Sequence, residues 1–487
     1  AEAGKDSGSK GTSSKDTLII ATANETPSVT TNLHNATAGD YINQMTHEGL
    51  FYSSADLTPQ PALAESYEIV SDTEWVFKLR QGVKFHNGQE VKAADVKASL
   101  ELCKESPQVS QYGTSSGTIE VVDDYTIKMT TDGPQSGLLS DLCHHGNAIL
   151  PADLIASGHD FNKEPIGTGP YKFVAWNKGE SIELEANEDY WGEVPAIKHV
   201  IWKIIPEGSS RTMALEAGEV DMIIEVESTD LSRLQDNPDI VTVNEPGTGH
   251  NWVMINNEKA PFDNVDFRRA IDAAVDKNAV VQVALNGQGS VSDSMLPECF
   301  PGVVTDGAPT YDPEKAKSML EAAGWDSNRE LQVLVSTGNE VREKSAILIQ
   351  QDLQKIGIKT KIQTLDFPTL LTNARNGDYD LCFIGSAGSV DPSESVPNVT
   401  AGYMNNFAQL SDPTLGQIGE SGAKEITFEA RKKIYDQYQE ELFKQMPMAF
   451  LYHTNDLFAY NEKLENVREG AIDYNINKNV WEWKVNK

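Results

Sequence analysis

Val200-Ile-Trp-Lys-Ile-Ile205-Pro-Glu-Gly-Ser-Ser-Arg-Thr-Met-Ala-Leu-Glu-Ala-Gly218-Glu-Val-Asp-Met-Ile-Ile224 reads as strand, helix, strand. An apolar run from Val200 to Ile205 is followed by a helical stretch from Ser209 to Ala217, and Gly218 stops it before a second apolar run from Val220 to Ile224. Strands alternating with helices signal parallel βαβ units. The grammar returns downstream: a strand at Leu331 to Val335, a helix at Glu340 to Ile356 stopped by Gly357, and strands at Ile358 to Leu365 and Tyr379 to Ile384. A local phrase is shared, Gly218-Glu-Val-Asp221-Met against Gly377-Asp-Tyr-Asp380-Leu, each a glycine closing a helix before a buried strand. Two α/β lobes are the expectation.

Upstream of Lys198 the pattern is one of hairpins. Trp75, Phe77 and Leu79 alternate, and Val83 and Phe85 lead to the turn Asn87-Gly88, which predicts a second hairpin strand. A helix is expected from about Ala94 to Lys104, then strands at Thr118 to Val122, Tyr125 to Met129, Tyr171 to Trp176 and Ser181 to Glu185. These make a β-rich insertion at about 50–190. The chain's first strand is Thr17 to Ala21, and the stretch from there to Glu48 shows no period. Asp312 to Ala323 has the signals of a helix: Asp312 as N-cap, Pro313 at the first position, Gly324 past the end, and Ala316, Met319, Leu320 and Ala323 along one face.

At 487 residues the chain exceeds what one core sustains. Forty basic against 73 acidic residues, a formal charge of -33, oppose binding to nucleic acid. No run of about 18 apolar residues is present to cross a membrane. Residues 1–16, rich in Gly, Ser and Lys, are expected to form a flexible linker. Cys103, Cys143, Cys299 and Cys382 lie far apart with no C-x-x-C pair, which removes zinc ribbons and leaves disulfide pairing open.

Chemical motifs do not assemble into an enzyme. Gly113-Thr-Ser115-Ser-Gly117 fits the pattern of a nucleophile elbow, but polar residues precede it and a strand follows, the reverse of what an elbow needs. His47-Glu48 opens like a zinc-protease helix, yet Phe51 stands where the second histidine belongs. His144-His145 beside Cys143 could serve one ion only from a loop. There is no Walker loop, and Gly287-Gln-Gly289 lacks a third glycine. No catalytic residue, cofactor or metal is expected.

Trp75-Val-Phe-Lys-Leu-Arg80-Gln-Gly82-Val-Lys-Phe-His86-Asn-Gly88 with Ala94-Asp95-Val96, Pro165-Ile-Gly167-Thr-Gly169-Pro-Tyr171-Lys-Phe173, Tyr190-Trp191-Gly192, Arg211 to Asp221, Asn256 with Pro261-Phe262-Asp263 and Arg268-Arg269-Ala270, and Tyr311-Asp-Pro-Glu-Lys-Ala316 occur in series. Together they resemble the signature segments of the peptide/nickel-type extracellular solute-binding proteins, family 5. The resemblance implies a two-lobed periplasmic-binding-protein type II fold with three subdomains, of the cluster C kind, and a hinge of two crossing segments near Trp252 to Asn256 and Tyr452 to Tyr460. Lobe I would span 17–255 plus 460–487 and lobe II 256–459. It also implies an ABC importer's substrate-binding component, a monomer that delivers solute to membrane permease subunits. Its place would be extracytoplasmic, as a periplasmic protein or a surface lipoprotein tethered by a lost N-terminal lipid anchor.

The signature glycines, Arg80 and His86 read as structural. In peptide receptors of the family an aspartate before an Asp-Pro step pairs with the peptide's ammonium; here it would fall near Gly388, in Ser386-Ala-Gly388-Ser389-Val-Asp391-Pro392, and is missing. The loop length resembles the nickel type, but Ser386 and Val390 replace its aromatics and Met404 its downstream histidine. Candidate ligand contacts are Asn24, Asp40 and Tyr41 after the first strand, His144, Trp252 near a crossing segment, and Ser386, Gly388, Ser389 and Met404. A short peptide is the first expectation for the solute. A nickel or metal-chelate receptor, and a non-transport receptor for a peptide signal, are the alternatives.

Overall fold

The structure, a computed structural model, describes residues 16–486 except 56, 297–306, 387–390 and 471–474. Its largest feature among the described residues is one eleven-stranded sheet passing through the whole molecule. At its centre lie two long strands, Ile240–Ile255 and Met448–Asn461, antiparallel to each other. Residues 240–246 pair with 455–461, and the same end of Met448–Asn461 pairs with Met222–Ile224. Beyond a break between Pro246 and His250, residues 250–254 pair with 448–453 and, on their other edge, with Leu381–Ser386. The two halves of the sheet are therefore joined through the middles of these strands. The break falls a few residues before the span suggested by sequence, because a strand does not end where it changes partners.

In the first half Thr17–Thr22 lies parallel between His199–Ile204 and Met222–Ile224, and the connecting helix is Gly208–Glu216. In the second half Glu330–Ser336 is parallel to Lys359–Leu365 and to Leu381–Ser386, with helix Glu340–Lys355 between the first two in sequence. Gly218 and Gly377 follow their helices at φ +72° and +71°, the left-handed conformation that ends a helix. The shared phrase thus does the same work twice. Asp312 caps Pro313–Ala322 by accepting from the Lys315 N–H at 2.9 Å, and Ala316 and Leu320 are buried.

Three expectations are corrected. Val83 and Phe85 form no strand: a single bridge, Lys84 to Glu90, and a turn at Gly88 bury both side chains. The insertion carries its own four-stranded sheet (64–71, 74–79, 126–130, 118–123) packed on helix Ala93–Glu105, but the hairpin Tyr171–Asn177 and Ser181–Ala186 joins the large sheet instead. The unperiodic stretch before Glu48 contains a helix, Thr37–Thr46. Seven of its ten residues are buried, and the polar Asn43, Gln44 and Thr46 among them interrupt the apolar pattern that marks a helix in sequence. The chain's end returns to the first half, where Asn477 donates from its backbone N–H to the Gln44 side-chain oxygen and from its side-chain amide to the Tyr41 carbonyl, and Leu464–Glu465 pairs with Lys484–Val485.

Candidate functional site

The two halves also meet at their far rims. Ser136, in the insertion, donates from its backbone N–H and its hydroxyl to the Ala423 carbonyl at 3.1 and 2.8 Å, and Ile426 packs against the insertion's core. Beside them Arg431 clamps Asp391 at 2.7 Å, close to Gly137. The hinge and these rim contacts bound a closed interlobe cleft.

One wall is a histidine cluster built by helix Thr37–Thr46 and the loop at 143–147. His145 Nδ1 faces Asp40 at 3.2 Å and its Nε2 faces the His34 carbonyl at 3.1 Å. His34 accepts from the Ala36 N–H and bonds Asn43 at 2.8 Å. His144 accepts from the Gly146 N–H, reaches Asn35 at 3.3 Å, and stacks on Tyr112 with ring centroids 3.6 Å apart. Burial holds His34 down to about 4 and His144 well below the usual range, with the neighbouring His145 adding to both shifts. Burial alone would raise Asp40, but its hydrogen bond and charge pairing with His145 outweigh that and hold it below the usual carboxylate range. The vicinal His144 and His145 rings lie 4.2 Å apart, but each ring nitrogen is committed, and among the described residues no cluster of three ligating groups stands ready for a metal.

The other wall begins where the crossing strands enter the second half. Arg342, in the first turn of Glu340–Lys355, donates from Nε to Asn251 at 2.9 Å and packs against Gly385 at the end of its strand. No carboxylate of a described residue lies within ion-pair distance of it, and burial lowers its pKa. It stands at the carboxyl ends of parallel strands, the edge where open α/β sheets hold ligands. His250, fully buried, donates from Nδ1 to the Thr248 carbonyl at 3.1 Å, so Nε2 carries a lone pair that no described group engages. Its ring lies 4.6 Å from that of Trp252, whose Nε1–H is likewise unmatched.

The predicted contacts are brought together only in part. Asp40 and His144 share the histidine wall, and Asn24 is exposed in the bend after the first strand. Tyr41 points into the core instead, stacked on Trp202 at 5.4 Å, because the strand edge it follows is covered by its own helix. Trp252 is buried at 2% exposure among Met254, Ile384 and Phe450. Met404 is 70% exposed in a shallow surface hollow with Glu258 and Arg375. Ser386 ends its strand, and Gly388 and Ser389 lie outside the described residues. Sequence reading missed His34, Tyr112, His250 and Arg342, and weighed His145 only as a metal ligand. For Arg342 a signal existed, a cation in a helix's first turn, where the macrodipole disfavours it.

A two-halved sheet joined by two crossing strands, with a cleft between, is the architecture of a solute receptor. The model of bacterial extracellular solute-binding proteins, family 5, matches residues 58–406. The chain belongs to that family. Members capture solutes for ABC importers outside the cytoplasm. Among relatives, the glutathione-binding protein GsiB of Pectobacterium atrosepticum is 27% identical over 89% of this chain and 88% of its own. The di/tripeptide-binding protein 1 of Pseudomonas aeruginosa is 28% identical over 81% and 80%. The periplasmic binding protein DppA of Helicobacter pylori, solved with the peptide STSA, superposes with a TM-score of 0.78 at 25% identity, covering 97% of this chain and 99% of that one. In this family-5 chain the signature segments are structural: Arg80 bonds the Ala62 carbonyl at 2.6 Å, and His86 joins Gly167 to Gly169.

Proposed function

We propose that this chain captures a short peptide bearing a free C-terminal carboxylate and hands it to an ABC permease. The observation that carries the reading is Arg342: a guanidinium with no carboxylate partner among the described residues, held by Asn251 at the seam of the cleft. A half-buried cation without a counter-charge favours an anionic partner, and a ligand carboxylate supplies one. The names of the peptide-binding relatives agree with this class. The committed ring nitrogens of the histidine wall argue against a metal chelate as cargo. Asp40 and His144 form the opposite wall, and lobe I gives way to lobe II at residues 247–249 and returns near 454. The chain acts as a monomer, without catalysis, tethered to the membrane through its N-terminal linker.

Calorimetric titration with tripeptides ending in a free carboxylate, and with the same peptides amidated, tests this. The acid form is expected to bind at least about thirtyfold more tightly, the equivalent of about 2 kcal/mol for a charge-assisted bond. Arg342→Ala is expected to remove that preference. Equal binding of acid and amide by the unaltered protein, or binding of nickel chelates and not peptides, sinks the reading.

A further inference from the structure

The register of the crossing strands places a second charged group at the cleft, across from Arg342. Along Met448–Asn461 the first half's strand Met222–Ile224 ends where Ile224 pairs with Phe458. The second half's strand Leu381–Ser386 ends where Ser386 pairs with His250, which itself pairs with His453. These two strands run in opposite directions, so their carboxyl ends face each other across residues 453–458 of the crossing strand, a stretch of about 17 Å. Each half thus turns toward the cleft the edge at which open α/β sheets hold ligands.

Glu225 is the first residue past Ile224. Its backbone lies at φ +61°, a left-handed conformation that residues with a side chain adopt rarely. Arg211 holds it there, donating to the Glu225 carbonyl at 2.6 Å and, from its other amino group, to the Ile205 and Pro206 carbonyls at 2.9 Å each. Strain fixed by its surroundings in this way gathers at ligand sites. The Glu225 side chain reaches over the neighbouring strand end, where Oε2 accepts from the Ala23 N–H at 3.2 Å. Oε1 has no partner among the described residues and is not sealed from solvent. Glu225 and Ala23 are half-buried and Asn24 is exposed, so the edge is open at this point.

The acids of the histidine wall and the rim are already spent. Asp40 faces His145, and both oxygens of Asp391 accept from Arg431, at 2.8 and 2.7 Å. Glu225, by contrast, has no cation of a described residue within ion-pair distance of its carboxylate, as Arg342 has no carboxylate. One half offers an unmatched negative group and the other an unmatched positive one. A free peptide is their complement: its α-ammonium, with a pKa of about 7.7–8.0, is charged at pH 7, and so is its carboxylate. An ammonium brings three donors, and a carboxylate with an open oxygen receives one in a charge-assisted bond.

We propose that Glu225 is the ammonium anchor of the cleft: it pairs with the peptide's N-terminal ammonium while Arg342 takes the C-terminal carboxylate. The peptide then bridges the halves with its N-terminus toward the first, and the receptor selects chains unblocked at both ends. This assignment rests on the reading of the cleft as a peptide site.

The test is calorimetry with trialanine as probe, in its free, N-acetylated and C-amidated forms, on the unaltered protein and on Glu225→Gln, which removes the charge and keeps an acceptor for the Ala23 N–H. Acetylation is expected to weaken binding at least about tenfold in the unaltered protein and less than about threefold in the variant, with the free acid preferred to the amide in both. Raising the pH from 7 to 9 should weaken the free peptide and leave the acetylated one unchanged. If Glu225→Gln fails to fold, Glu225→Asn, a residue better suited to positive φ, replaces it. Equal binding of free and acetylated trialanine by the unaltered protein, or an undiminished preference for the free amine in the variant, overturns the proposal. A preference for the free amine that the variant loses, with acid and amide bound equally, supports Glu225 and sinks the Arg342 reading alone; no binding of any form sinks both.

Discussion

Burial holds His250, His47, His34 and His86 neutral, and that has a cost in acid. His250 and His47 lie at about 3, and His34 and His86 at about 4, all below the ordinary 6.5. Above pH 6.5 neither folded nor unfolded histidines carry protons, so nothing is lost. Between about 6.5 and 4 the unfolded chain takes up protons that the folded chain refuses, and stability falls as the pH falls, by up to about 1.4 kcal/mol per pH unit for each such residue. Urea unfolding of ligand-free protein at pH 7 and pH 5 is expected to show this loss. His250→Asn, whose amide can keep the bond to Thr248, should lose roughly 1 kcal/mol less over the same interval. An identical slope in the variant would show that His250 protonates freely in the fold. Such behaviour was not legible in sequence, where a lone His250 before Trp252 says nothing of its burial. Arg80, by contrast, was readable as structural because it belongs to a segment whose hairpin strand was evident.

At the scale of elements, the glycines of Pro165–Phe173 show how a signature phrase acts through packing. A Cβ on Gly167 would stand 2.2 Å from the Thr46 carbonyl oxygen, and one on Gly169 2.5 Å from that of Met45. The loop thus lies flush on the C-terminal turn of helix Thr37–Thr46, next to His47. Gly169→Ala is expected to destabilise the protein by about 1–3 kcal/mol, the usual cost of overpacking, seen as a lower urea midpoint with unchanged slope. The parallel strands, the Asp312-capped helix and the two glycine-closed helices were legible because period and capping are local. Helix Thr37–Thr46 was not: its buried Asn43 and Gln44 are satisfied by partners outside the helix, Asn43 by Val29 and Gln44 by Asn477. For the same reason, the hairpin at 171–186 could be recognised but not assigned to its sheet.

For the whole molecule, function rests on two joints, a break in the paired strands between Pro246 and His250 and a rim where Ser136 meets Ala423. Among the described residues the rim is small: one carbonyl receiving two bonds, one clamped aspartate and the side chain of Ile426. Contacts this few leave the closed state close in free energy to an open one, so a ligand bridging both walls can shift the balance. Hinge closure of this kind predicts that solute enters only while the rim is apart. Replacing Ser136 and Ala423 by cysteines places two thiols where backbones already approach within a hydrogen bond. The described native cysteines, Cys103, Cys143 and Cys382, compete poorly, being buried with thiols pushed up to about 12. The oxidised double variant is expected to bind peptide at least about a hundredfold more slowly when closed empty, and to release it as slowly when closed around ligand. Reductant should restore both rates, read by stopped-flow intrinsic fluorescence. Unchanged association in the oxidised form would mean that solute reaches its site without the lobes parting, and the rim contacts would then be passive features of the fold.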